Sequence, residues 1–157
     1  MGKWHQGSRH GKGLEYNMET GFRRYDGDFK LDKYDGDGKL YDNDGIIQFT
    51  SQFTKGIMEG KCVRWHKTGK KHIEGKVTDG RFEGECKEYY SSGEKYYTGQ
   101  FYRGQKTNKG TSYFKNGEKE YTGNWIEDKW QGAGAVWDFK TGKKTQGNFL
   151  KGKLVVS

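Results

Sequence analysis

Aromatic or apolar residues recur along this chain at a nearly fixed step: Trp4, Phe29, Phe53, Val77, Phe101, Trp125 and Phe149 are separated by 25, 24, 24, 24, 24 and 24 residues. Two places before each stands a glycine (Gly2, Gly27, Gly75, Gly99, Gly123, Gly147), with Ser51 as the one substitute. A constant period in this range is the mark of a repeat architecture, in which each unit is one supersecondary element that buries its apolar face only by stacking on its neighbours. Lined up on that period, residues 1–157 read as one array: a half-unit 2–10 and full units 11–35, 36–59, 60–83, 84–107, 108–131 and 132–155.

Without the period the composition would argue for disorder. Leu, Ile, Val and Phe supply 24 of the 157 residues, below the roughly 20% at which a charged chain is read as unfolded. The 9 Phe, 11 Tyr and 5 Trp change that reading, because each ring buries a large area and the rings stand at fixed phase. The core is therefore expected to be thin and aromatic.

Each unit opens on Gly-x-Gly or Gly-x-Cys, followed by an aromatic: Tyr16, Tyr41, Trp65, Tyr89, Tyr113 or Trp137. A glycine-bearing turn follows, as in Asp42-Asn43-Asp44-Gly45 and Lys115-Asn116-Gly117; Asp-Gly and Asn-Gly between aromatic runs are hairpin signals, since these residues accept positive φ at little cost. In the second run Tyr121, Gly123 and Trp125 alternate, which in a strand puts all three on one face and Thr122 and Asn124 on the other. A glycine between two aromatics reads as a place where a ring lies flat over the backbone. Proline is absent, as suits strands whose amides donate to neighbours, and no apolar stripe at i, i+3, i+4 supports a helix. The expected fold is all-β: a single-layer, elongated antiparallel sheet of stacked hairpins, six and a half of which span roughly 60 Å at about 10 Å each.

The pattern Tyr-x-Gly-x-Trp/Phe, then Gly-Lys (Gly152-Lys153) or a variant, then Gly-x-Gly, resembles the membrane occupation and recognition nexus (MORN) repeat family over essentially the whole length. Paired glycines stand at Gly11/Gly13, Gly36/Gly38 and Gly132/Gly134; Cys62 and Cys86 depart from the pattern, as do Ser51 and Phe49, and a looser or re-packed sheet is expected over residues 45–62. The resemblance implies a non-catalytic scaffold in cytoskeletal, ciliary or membrane-junction complexes, or a region appended to enzymes such as lipid kinases.

No catalytic constellation is legible. Gly11-Lys12-Gly13 and Gly36-Asp37-Gly38 lack the third glycine and the Lys-Ser/Thr ending of a phosphate loop. Asp35, Asp37, Asp42 and Asp44 fit no phase of a calcium loop. The histidines recur with no nucleophile, and Cys62 and His66 stand four residues apart, ~13 Å along one strand, too far for one metal. Cys62 and Cys86 hold equivalent places ~10 Å apart, beyond disulfide reach, and are expected as free, packed thiols. Neither a metal nor a cofactor is expected.

Two rows repeat with the array. Tyr16, Tyr41, Trp65, Tyr89, Tyr113 and Trp137 are expected mostly in the core, with one ring-bearing face left as a groove for a partner protein, since a single layer has no second layer to cover it. Arg23, Lys71, Lys95, Lys119 and Lys143 follow the turn glycines, broken by Ile47, and form a row of charges that an anionic membrane could meet. Net charge supports such a surface: +8 overall, with 9 basic and 10 acidic residues in 1–60 but 20 and 11 in 61–157. Basic and acidic residues alternate without a recognition helix or basic arm, so nucleic acid is not an expected partner. No apolar run reaches the 18 or so residues of a membrane span, nor does the start resemble a secretory leader, so the cytoplasm, with its cytoskeleton or cilium, is the expected place. Gly2-Lys3-Trp4 reads as a second strand lacking its first, an open edge with Trp4 as an apolar anchor for a partner strand or a second copy. A protein-binding scaffold, a membrane module and a regulatory part of a larger enzyme remain the open readings.

Overall fold

The computed structural model describes residues 3–5 and 7–155, the first three as backbone alone. Among these residues the strands run β1 Lys3–His5, β2 Ser8–Tyr16, β3 Arg23–Lys30, β4 Lys33–Tyr41, β5 Ile47–Thr54, β6 Ile57–Trp65, β7 Lys71–Thr78, β8 Arg81–Tyr89, β9 Lys95–Tyr102, β10 Gln105–Tyr113, β11 Lys119–Ile126, β12 Lys129–Trp137, β13 Lys144–Leu150 and β14 Lys153–Val155. Each pairs antiparallel with the next, so spatial order equals chain order from β1 to β14 in one open sheet. The all-β hairpin array expected from the period is the fold observed.

Two kinds of turn alternate. On one edge the glycine-bearing turns close as a turn plus bulge: Gly45 N donates to Asp42 O at 3.0 Å and Asp42 N to Ile46 O at 2.9 Å, and the register shifts between Leu40 and Tyr41. On the other edge two residues suffice, both with positive φ, as at Lys55 and Gly56 (φ 50 and 88) or Leu31 and Asp32 (φ 50 and 66). These mirror-image turns match the right-handed twist of the strands. The glycine that marks four of them (Gly56, Gly80, Gly104, Gly152) is missing from Leu31-Asp32 and Glu127-Asp128, which nothing in the sequence pattern singled out. The edge is tied unit to unit: Gly56 N donates to Tyr34 O at 2.8 Å and Gly80 N to Met58 O at 3.0 Å. Asp35, one of the carboxylates considered for calcium, accepts from Lys55 N at 3.1 Å. Asp42 likewise accepts from the amides of Asp44 and Ile46 within its own turn.

The paired glycines of each unit turn out to do different work. The first sits where the ladder skips, in a bulge at positive φ: Gly36 at 103°, Gly60 at 98°, and in one unit Asn108 at 50°. The second lies under a ring. Tyr121 reaches across Gly123 of its own strand onto Gly134 of the next, where an added Cβ would stand 2.6 Å from Cζ of the tyrosine. The ring-over-glycine expectation holds, although the ring over Gly123 comes from its own strand, and only for Gly134 does it come from a neighbouring one.

The core occupies one face and closes over itself. Tyr25, Tyr97 and Tyr121 are wholly buried. Tyr121 is met edge-on by Trp125 at 5.3 Å and by Phe149 of the next unit at 5.1 Å, and flat by Trp130 at 4.6 Å. Tyr25 repeats this with Phe29, Phe53 and Tyr34. Rings from adjacent units thus do the covering that a second layer does elsewhere. The expectation that Tyr16 to Trp137 belong mostly to the core is corrected here: they alternate with the core-facing residues Glu15, Leu40, Arg64, Glu88, Ser112 and Val136 and so lie on the opposite face.

Candidate binding face

The face opposite the core is the open one. In register across it runs the row Leu14, Asp26, Lys39, Thr50, Val63, Glu74, Lys87, Thr98, Thr111, Thr122, Ala135 and Gln146. Two concavities lie along it and share Glu85 and Thr98. One of about 400 Å³ is bounded by Val63, Glu74, Lys76 and Lys87, and one of about 710 Å³ lies over Thr111, Thr122, Ala133 and Ala135 with glycines 99, 110, 123, 134 and 147 beneath. A continuous trough therefore crosses the strands from β6 to β13.

The aromatic row borders this trough rather than a second core. Trp65 Nε1 donates to Thr50 Oγ1 at 3.0 Å and Tyr89 Oη to Glu74 Oε1 at 2.6 Å, each ring lying back over the preceding hairpin. Burial together with the Glu74 carboxylate pushes the Tyr89 hydroxyl up to about 12, while bonds from Lys71 and Tyr89 hold Glu74 below the usual carboxylate range. Tyr16 is half exposed and lines, with Tyr41, Arg23 and Asn43, a separate polar hollow of about 480 Å³ near the first glycine turn.

The lysine row is not a free line of charges but interleaves with the aromatics. Lys71 Nζ bonds Glu74 at 2.8 Å, Arg23 lies 3.7 Å from Asp26, Lys95 Nζ sits 5.6 Å from the Tyr113 ring centre and Lys119 Nζ 5.7 Å from that of Trp137. At the last hairpin Lys143 gives way to Lys144, which pairs with Trp137 and stands 5.4 Å from its ring. The step of two from the turn glycine that leads to Arg23, Lys71, Lys95 and Lys119 leads from Gly142 to Lys144, whereas Lys143, one place after that glycine, lies within the turn. Trp4 pairs with Arg9 in β1; its side chain, with Gly2 and Gln6, lies outside the described residues.

One polar cluster escaped sequence reading. Lys106 occupies a row filled elsewhere by Arg9, Tyr34, Met58, Phe82, Trp130 and Leu154. Its ammonium lies 5.3 Å from the Tyr97 ring centre, where Tyr34 and Trp130 stack on their own tyrosines, and 2.8 Å from Glu88 Oε2. Both side chains are nearly buried, at 11% and 13% exposure. Burial pushes the Glu88 carboxyl up, but the bond from His72 and the charge and bond of Lys106 outweigh it, and the net shift is down. The signal was there to find: a cation, in the middle of the array, at a position that five other units fill with apolar residues and only the first fills with a second cation, Arg9.

Cys62 and Cys86 are free and buried, as expected. Burial raises both thiols against a lowering bond from Ser51 at Cys62, and Cys86 rises to about 11. Among the described residues no group of three or more His, Cys, Asp or Glu side chains could hold a metal ion. What this surface offers is shape and charge for binding.

The family model described as MORN repeat matches residues 1–16, 25–47, 49–71, 74–95, 97–119 and 121–134. No curated protein matches the sequence.

Proposed function

Because the chain belongs to the MORN repeat family, whose repeats are in general non-catalytic binding modules, we propose that it is a scaffold that holds partner proteins on its open face within a cytoskeletal or ciliary assembly of the cytoplasm. The observation that carries this reading is the division of labour between the two faces. The aromatic core is closed by its own rings, whereas the trough from β6 to β13 is open; Trp65 and Tyr89 bond to Thr50 and Glu74 of the open-face row, and Tyr113 and Trp137 hold the equivalent places in the later hairpins. Apolar rings beside small residues suit a protein surface, in which the fully buried centre of the contact supplies most of the affinity.

A membrane module is the rival. Against it stands the engagement of the row: Arg23 and Lys71 face carboxylates, and Lys95, Lys119 and Lys144 face rings. The test sets capture of cytoskeletal proteins beside sedimentation with phosphatidylserine vesicles, using the wild type, Tyr113→Ala/Trp137→Ala, and Lys71→Glu/Lys95→Glu/Lys119→Glu/Lys144→Glu. Protein capture lost with the aromatic pair and little altered by added salt supports the scaffold. Vesicle binding that disappears with the charge reversal and with salt would make the membrane the target instead.

A further inference from the structure

The open face of the last three hairpins differs from the rest in two independent ways. Its central row is short: Thr98, Thr111, Thr122 and Ala135 stand opposite one another across β9 to β12, where earlier hairpins carry Lys39, Glu74 or Lys87. The residue before each two-residue turn is also large, apolar and exposed: Tyr102 at 55%, Ile126 at 55% and Leu150 at 54%. Lys30, Thr54 and Thr78 hold that place in the earlier hairpins. Each of the three follows a buried ring (Phe101, Trp125, Phe149), so strand alternation sends it to the open face. Beyond the lining of the trough of about 710 Å³, strand alternation therefore places Tyr102, Ile126 and Leu150 toward one end of its strands and Tyr113 and Trp137 toward the other, an apolar rail at each side.

Three features define the occupant. Its width follows from β13, where Leu150 and Lys144 stand six residues, or about 20 Å, apart along the strand, enough to seat a helix about 10–12 Å across. Several polar atoms of the floor are already engaged: the Thr111 and Thr122 hydroxyls bond each other at 2.8 Å, Asn124 Nδ2 donates to Ala133 O at 3.3 Å, and Gln100 Nε2 donates to Glu85, while the buried Thr98 hydroxyl has no hydrogen-bond partner. An extended chain crossing the strands would find few partners for its amides and carbonyls, whereas a helix satisfies its own. The charge is set by Lys109 and Lys144 in the lining against Glu85, with Lys95 and Lys119 above the aromatic rail.

We propose that the trough over β9–β13 receives an amphipathic helix whose apolar stripe lies along the small-residue row and whose flanks are acidic. The proposal rests on the reading of the open face as the binding face. Tyr102 to Leu150 spans four strand spacings, about 19 Å, which a helix covers in about 13 residues; its anchors are then spaced i, i+3, i+4, i+7.

The probe is a labelled 16-residue peptide with leucines at that spacing and glutamates elsewhere. It is compared with its lysine-for-glutamate counterpart and with the acidic peptide carrying two interior prolines, each titrated with the full chain by fluorescence anisotropy. The acidic helix is expected to bind at least tenfold more tightly than the other two, and Thr122→Trp and Ile126→Asp each to weaken it at least tenfold. Ile126 is exposed, so its variant keeps the fold even if the tryptophan disturbs it, and thermal melting by circular dichroism checks both. Equal binding of the proline peptide would make the occupant extended, and equal binding of the basic peptide would remove the charge argument. No binding of the acidic peptide at 1 mM, or binding indifferent to both variants, overturns the proposal. Phosphatidylserine vesicles released by Ile126→Asp would put a lipid surface there instead. If the peptides fail while the aromatic-dependent protein capture described above persists, the helix falls and the scaffold stands.

Discussion

Tyr25, Tyr97 and Tyr121 each lie over a glycine of the following strand, whereas the middle hairpins put Phe49 and Ile73 in that place and Cys62 and Cys86 where the glycine would be. The two versions meet the same requirements. A tyrosine fills the space above the glycine and its hydroxyl donates to a carbonyl at the ladder's bulge: Tyr25 to Asp28 O at 2.8 Å, Tyr97 to Gln100 O at 3.0 Å, Tyr121 to Asn124 O at 2.8 Å. With Phe49, which has no hydroxyl, Ser51 supplies the donor to Gln52 O at 3.0 Å. With Ile73, which is shorter, Cys86 fills the space against Gly75, and its thiol donates to Glu83 O at 3.8 Å. The departures at Phe49, Ser51, Cys62 and Cys86 are compensations for one another, but the buried core divides there, as the expected re-packing over 45–62 implies: Tyr25, Phe29 and Phe53 form one cluster and Cys62 to Phe149 another, with partly buried Met58 packed against both.

The strongest way to break this equivalence is to put the wrong partner beneath a tyrosine. An added Cβ at Gly110 would stand 2.5 Å from Cε2 and Cζ of Tyr97, so Gly110→Val is expected to cost about 3 kcal/mol or more by urea denaturation. Gly110→Cys should also be costly alone, but in combination with Tyr97→Ile it copies the Ile73 and Cys86 pair. A favourable coupling of about 1–3 kcal/mol in that double-mutant cycle is the expected outcome. Additive losses would mean that the two versions of the unit are not interchangeable.

The period made the fold readable, because six rings and one valine at equivalent places, with the glycines before them, constrain pairing far more than any local propensity does. The ring over glycine was legible for the same reason, from Tyr121, Gly123 and Trp125 alone. Which aromatics close the core was not. Tyr113 and Tyr121 are equally good strand residues, and the choice rests on inter-unit ring geometry such as that of Tyr121 with Phe149, which no spacing encodes. The borders of the open face were legible as two separate rows; that Lys119 sits over Trp137 depends on an offset of one hairpin that only the register reveals. The rail of Tyr102, Ile126 and Leu150 was missed because its residues look like ordinary strand ends until their exposure is known.

A middle-sized effect is expected where the tyrosine is kept but its stacking partner is not. Lys106 takes the place over Tyr97 that Trp130 takes over Tyr121, and Lys106→Met would strand the Glu88 carboxylate, at a cost of about 2–3 kcal/mol at neutral pH. Glu88→Leu/Lys106→Met recreates the pair Leu40 and Met58, which holds the same two positions two hairpins earlier, and should recover most of that loss. The pH dependence separates the variants. In the wild type Glu88 sits below its ordinary range, so its contribution is complete above about pH 4.3 and is lost as pH falls from there through the lower folded value. In Lys106→Met the carboxyl keeps only its contact with His72 and takes up a proton more readily, so the penalty should shrink as pH falls below about 4.3. A penalty that does not change with pH would mean that packing, and not the stranded charge, causes it.

The smallest effect tests the hydroxyl itself. Asp28, Gln52 and Asn124 fall where the register jumps, Phe29 pairing with Tyr34 while Gly27 pairs with Gly38, and likewise in the other two hairpins. Their carbonyls therefore lack the ladder partner that a regular strand would give them, and a side chain serves instead. A tyrosine does so in two of these hairpins and Ser51 in the third. Removing the donor leaves the ring or the Cβ in place, so Tyr121→Phe and Ser51→Ala should each cost about 1 kcal/mol, the net worth of one such bond, and by nearly the same amount although the side chains differ in size. Faster amide exchange confined to residues around Asn124 in the first variant and Gln52 in the second would locate the loss at the bulge. A Ser51→Ala variant as stable as the wild type would show that the middle hairpin leaves this carbonyl to water, and that its serine is not the counterpart of the tyrosine hydroxyl.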